Sequence, residues 1–266
     1  MYPYWLEIGS FKAPTFGPMV VLGFLVAYFV IKREFIRKEI DPELASSLIT
    51  GAILGGLAGA KLYFVLFELP AGATWSDSIG ALFSGSGLTW HGGFAVAAFV
   101  VIWLIRRHGA PLMLSADAIG MGLAIGYGIG RIGCQLAGDG DYGGPTDLPW
   151  GMAYPDGVVP TLEKVHPAPL YETLMGGAIF AFLWNMRKHL RIPGVSFCLY
   201  LILSGIARFA VEIIRLNPRV FAGYTAAQLV SVGLIVIGVV LGAYLLRKSR
   251  SIDAEGAVTT RAPVHG

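Results

Sequence analysis

Seven apolar stretches recur along this chain, near 17–35, 44–67, 92–105, 114–137, 168–186, 194–214 and 225–246. Each approaches the roughly 20 residues that a helix needs to cross a bilayer. That recurrence leaves few folds open, because a backbone surrounded by hydrocarbon must satisfy its own polar groups. Composition agrees: of 266 residues, 55% are hydrophobic, 14% are charged and 36 are glycine, with a mean hydropathy of +0.65. The reading is an all-α polytopic membrane protein of about seven transmembrane helices, forming one domain over 1–250.

The formal charge of +3 invites comparison with nucleic-acid binders, but the cations sit in short blocks beside apolar runs. Lys32, Arg33, Arg37 and Lys38 close the first stretch, and Arg106 and Arg107 the third. Arg187, Lys188 and Arg191 close the fifth, and Arg247, Lys248 and Arg250 the seventh. Odd-numbered stretches that all end in cations place those ends in the cytoplasm, the N-terminus outside and the C-terminus inside. The first 19 residues lack the basic start and small-residue cleavage site of a signal peptide, so the first span is expected to be retained. The tail at 251–266 has no apolar period and reads as disordered. Cys134 and Cys198 fall toward opposite faces, which argues against a disulfide.

Between the spans, 73–83 suits either a short surface helix or a plain loop. The connection at 138–167 is rich in Gly, Pro, Asp and Tyr and reads as a small extracytoplasmic cap, with turns at 143–145 and 155–157. Polar groups gather at the outer ends of the spans. Lys61 nears the end of the second, His91 opens the third, Arg131 nears the end of the fourth, and His166 and Glu172 open the fifth. The run ARFAVEIIR adds Arg208, Glu212 and Arg215; a four-residue step sets the first two on one helix face, and a seven-residue step returns Arg215 near Arg208. Charge at membrane depth is costly, so such residues usually face a cavity, a partner or an ion path.

Each also has a plainer reading. Lys61 can snorkel to the headgroups, Arg208 and Glu212 can form a structural ion pair, and His91 can be a hydrogen-bonded buried histidine. Arg215 with Arg219 reads as an exposed interfacial anchor. No HExxH, CxxC or paired-histidine spacing suggests a metal, and no G-x-S-x-G elbow or Walker loop suggests a serine hydrolase or an NTPase. No inverted repeat of the transporter kind is visible. A lipid-binding transporter or scramblase stays open as an alternative, since it would use the same arginines.

Four motifs in order carry a resemblance. They are W-H-G-G at 90–93, G-R-I-G at 130–133 leading into D-x-D-Y-G at 139–143, H-P-x-P-L-Y-E at 166–172 and R-F-x-V-E-x-x-R at 208–215. With GAKLYFVLF at 59–67 and the region of Gln228, the chain resembles the bacterial prolipoprotein diacylglyceryl transferase family along nearly its whole length. The resemblance implies a seven-span inner-membrane enzyme without a cofactor or metal. It would move the diacylglyceryl group of phosphatidylglycerol onto the lipobox cysteine of preprolipoproteins and release glycerol phosphate.

It further implies that His91, Arg131 and Arg208 are catalytic. Lys61, Cys134, Asp139, Gly143, His166, Tyr171, Glu172 and Glu212 are expected to border the substrates. The family's N-F-x-N-x-E after G-R-x-G is replaced here by Cys134, Gln135, Ala137 and Asp139, and its aromatic hydroxyls by Phe16 and Ser204. A member with an altered acceptor is therefore a further alternative. In the implied chemistry, neutral His91 takes the thiol proton; His166 is a second candidate base. Arg131 and Arg208 grip the departing phosphate in a fork.

Overall fold

A computed structural model describes residues 2–8, 11–69, 74, 80 and 89–259. Among them are seven α-helices: α1 (Phe16–Arg37), α2 (Leu44–Tyr63), α3 (Trp90–Arg107), α4 (Leu112–Ala137), α5 (Ala168–Met186), α6 (Val195–Glu212) and α7 (Ala226–Thr259). A π-helical turn, Phe64–Glu68, extends α2. Among the described residues, four helices are long and apolar enough to cross a membrane, at Leu44–Glu68, Leu112–Ala137, Val195–Glu212 and Ala226–Ser251. The stretch at 73–83, read as either a surface helix or a loop, lies almost wholly outside the described residues. Helix α7 continues to Thr259, past Arg250, where the sequence suggested a disordered tail; residues 260–266 are also outside the described set.

The chain divides into two compact units, Ile31–Ser115 on one hand and Met1–Val30 with Ala116–Gly266 on the other. In the first, α2 lies against α3 along Gly51, Gly55 and Gly59. A Cβ on Gly59 would sit 2.6 Å from Val96 Cβ, so side-chain volume is excluded where the two backbones approach. Leu44, Ala45, Leu48 and Ile105 are buried there. So is Glu34, whose carboxylate accepts hydrogen bonds from Arg37 at 2.5–3.0 Å.

In the second unit, Val30, Met121 and Leu183 form a core joined by Ile125, Ile179, Phe180, Trp184, Leu199 and Tyr200. Asp117 of α4 is 2% exposed and caps α6 across the helix pair. Its carboxylate accepts the amides of Gly194 at 3.0 Å and Phe197 at 2.9 Å, two of the donors that a helix start leaves unpaired. Arg131 lies fourteen residues beyond Asp117 on α4, and Arg208 fourteen beyond Gly194. At 1.5 Å per residue both arginines are carried about 21 Å from that pin, so the cap sets them at one height.

Three antiparallel hairpins decorate this unit: β1 (Tyr4–Ile8) with β2 (Phe11–Pro14), β3 (Met152–Tyr154) with β4 (Thr161–Val165), and β5 (Arg219–Phe221) with β6 (Tyr224–Thr225). The β3–β4 pair folds onto the end of α4. Val158 and Val159 donate to the carbonyls of Ala137 and Gly138, and buried Tyr154 donates its hydroxyl to Gln135 at 3.0 Å.

Candidate active site

Helices α4 and α5 meet at glycines. A Cβ on Gly176 would lie 3.0 Å from the Ala124 carbonyl oxygen and 3.1 Å from Gly128 Cα; the glycine ladder of α4 thus works as a packing seam. Thr173 reinforces it with a hydrogen bond to the Gly128 carbonyl at 3.1 Å. One turn further along, this close approach delivers Glu172 to Arg131.

Glu172 is the hub. Its side chain is 2% exposed and is approached by three guanidiniums: Arg208 Nη1 at 2.6 Å, Arg131 Nε at 3.2 Å and Arg215 Nη1 at 3.6 Å. Tyr127 donates its hydroxyl to the same carboxylate, and the Arg131 guanidinium lies 5.0 Å from the Tyr127 ring centroid. Glu212, also buried, takes Arg208 Nη2 at 3.1 Å and Arg215 Nε at 3.9 Å, and accepts a hydrogen bond from Asn217 at 2.6 Å. Asp141 bridges Arg131 and Arg215, one carboxylate oxygen to each. Three cations thus face three anions, which makes burial tolerable where an isolated charge would not be. The charges pair, but not every atom finds a hydrogen bond: Glu172 Oε2, Glu212 Oε2 and Arg215 Nη1 have none among the described residues.

Arg215 corrects the sequence reading. It was expected to be an exposed anchor, yet its side chain is 8% exposed and faces both buried glutamates. Helix α6 ends at Glu212, and the chain after it runs back beside the D-x-D-Y-G turn, where Gly143 and Arg215 pair as an antiparallel bridge. Gly143 donates its amide to the His166 carbonyl at 2.8 Å, and Gly144 to that of Ile214 at 2.9 Å. A Cβ on Gly143 would sit 2.8 Å from the Ile214 oxygen, so only glycine lets that strand close over Arg215.

The remaining candidates fall around this cluster. Cys134 is buried, and its sulfur lies 3.8 Å from Arg131 Nη1. Asp139 accepts the backbone amide of Asp141 at 3.2 Å, shaping the turn. His166 Nδ1 is 3.4 Å from the Tyr171 hydroxyl, which accepts the Trp150 indole at 2.7 Å. Burial pushes the Asp141 carboxyl up, but the Arg131 and Arg215 guanidiniums outweigh it and hold the group below the usual carboxylate range. Lys61 and His91 belong to the other unit: Lys61 sits in the last turn of α2, and the exposed His91 ring lies 6.3 Å from that of Tyr63.

Cys134, Asp139 and Asp141 bring potential metal-ligand atoms within 4.8 Å of one another. Both Asp141 oxygens already receive guanidiniums, and Arg131 faces the cysteine sulfur, so cations of the chain itself take up those donors. Both cysteines are free thiols. Tyr127 and Asn217 were not singled out as site residues from the sequence. Tyr127 had a signal, its position four residues before Arg131 on one helix face. Asn217 had none, because it depends on how the chain leaves α6.

Long apolar helices with a buried arginine–carboxylate cluster at their ends define a membrane protein with a charged site built into its helix bundle. The family model for prolipoprotein diacylglyceryl transferase matches residues 3–244, and the chain belongs to that family. Relatives named phosphatidylglycerol--prolipoprotein diacylglyceryl transferase include one from Gloeobacter violaceus, 31% identical over 95% of this chain and 96% of the relative. Another from Fervidobacterium nodosum is 32% identical over 94% and 87%, and one from Thermotoga maritima 30% over 93% and 85%.

Proposed function

We propose that this chain transfers the diacylglyceryl group of phosphatidylglycerol to the lipobox cysteine thiol of preprolipoproteins. The observation that carries this reading is the convergence of Arg131, Arg208 and Arg215 on Glu172 in a member of this family. Sulfur attacks the glycerol carbon that bears the phosphate ester; the C–S bond forms, the C–O bond breaks, and the bonding pair leaves with glycerol phosphate. The thiol proton passes to a base, for which the His91 imidazole is the first candidate and His166 the second. A free thiol loses its proton near pH 8.5, so the base matters below that.

Arg131 and Arg208 supply planar, forked donors to the phosphate as its charge grows. Glu172 and Glu212 fix the two planes, which is electrostatic preorganisation worth about 3 kcal/mol per donor. Lys61, Cys134, Asp139, Gly143 and Tyr171 border the substrates. The topology that fits this role is a single seven-span domain in the bacterial inner membrane, N-terminus outside, with 138–167 as a cap over the site.

The test is to incubate purified protein with phosphatidylglycerol and a lipobox peptide and to weigh the peptide. A diacylglyceryl adduct is the expected product. Headgroup flipping without an adduct would replace this reading by that of a scramblase, and an adduct formed only on other thiols would move the acceptor.

A further inference from the structure

The three carboxylates of the cluster are not equivalent. Glu172 projects from the second turn of α5 and Glu212 from the last residue of α6, and their side chains are 2% and 0% exposed. Asp141 lies on the turn after α4, 33% exposed. Two glycines precede it at left-handed torsions, Gly138 at φ +61° and Gly140 at φ +91°, a backbone that side-chain-bearing residues rarely adopt. Its two oxygens take Arg131 Nη1 and Arg215 Nη2, the terminal nitrogens that a phosphate would use. Asp141 therefore stands in the geometry of a bridging phosphate, and it is the one carboxylate of the three that is carried on a turn and a third exposed.

We propose that Asp141 is the exchangeable counterion of the arginine cluster, giving way to the monoanionic phosphodiester of the lipid and competing against the dianionic phosphomonoester that leaves. Charge supplies the reason. With Asp141 the cluster holds three formal positive and three formal negative charges. A phosphodiester that takes its place keeps that balance. Once the C–O bond breaks, the phosphate carries a second charge, the site is one negative charge over, and the tethered carboxylate is close enough to take the guanidiniums back. Asp141 would thus sharpen the choice between substrate and product, two ligands that share a phosphate and differ in charge. A carboxylate that merely braced the arginines would act in the opposite sense, and its loss would weaken every anion.

The inference rests on the transferase reading, and the experiment separates the two. Glycerol phosphate is titrated by calorimetry into wild type, Asp141→Asn and Asp141→Glu, and used as an inhibitor of transfer to the lipobox peptide. Asp141→Asn is expected to bind glycerol phosphate about tenfold more tightly than wild type, the effect of removing one like charge at close range. The KM for phosphatidylglycerol should change less, and Asp141→Glu should stay near wild type. Equal or weaker binding of glycerol phosphate by Asp141→Asn overturns the proposal. Absence of transfer by wild type with tighter binding by Asp141→Asn would refute the transferase reading and leave the counterion standing.

Discussion

Two buried acidic sites in this molecule are solved in opposite ways. Glu34 is fully buried, and the guanidinium of Arg37, three residues on, reaches both of its oxygens. Glu172 is just as deeply buried, but it is shared among three arginines from two helices and the segment after α6, and one of its oxygens has no hydrogen bond among the described residues. In the first, the guanidinium comes from the next turn of the same helix. The second is long-range and open, and an incomplete network of buried charge is costly to keep unless another group completes it. The difference teaches that burial of charge alone does not mark function; the number of donors aimed at one place does.

Single and paired substitutions break that comparison most sharply. Glu172→Gln removes the carboxylate that all three guanidiniums share, leaves three cations to Asp141 and Glu212 alone, and should abolish measurable transfer. Unpaired buried charge of this kind typically costs about 3–5 kcal/mol, so the thermal midpoint should fall as well. Replacing Glu34 and Arg37 together by leucine should leave the transfer rate within about twofold, since replacing both members of an ion pair leaves no unpaired buried charge behind. A large loss of activity from the double replacement would show that this pair also serves the chemistry.

The smaller effect is one of pH. The Asp141 carboxyl is held below its ordinary value, so the folded protein holds this proton less firmly than the unfolded chain does. Its contribution to stability is complete above the unfolded value, about 3.9, and is lost as pH falls through the lower folded value. Thermal melts across that range should show a steeper acid loss for wild type than for Asp141→Asn. Identical slopes would mean that the turn carboxylate is not coupled to the arginines in solution.

Much of this was legible in the sequence. The helix positions followed from apolar length, and the joining of Arg208 to Glu212 followed from a four-residue step. Glu172, read from its motif as bordering the substrate, proved to be the hub only through a contact between α4 and α5 that depends on Gly128 and Gly176 fitting together. The misreading of Arg215 has a definite cause. Helical spacing pointed it toward Arg208, while its neighbour Arg219 suggested an interfacial pair; the chain leaves the helix at Glu212 and turns Arg215 inward through a bridge to Gly143. Nothing local in ARFAVEIIR encodes that pairing.

The most direct measurement is transfer of labelled diacylglyceryl to a lipobox peptide by Arg131→Lys beside wild type, with equal amounts of folded protein confirmed by thermal melts. Lysine keeps the positive charge and loses the planar fork, so a fall of about a hundredfold or more is expected. A rate equal to wild type would contradict bidentate phosphate binding by Arg131, and with it the account of how this cluster acts.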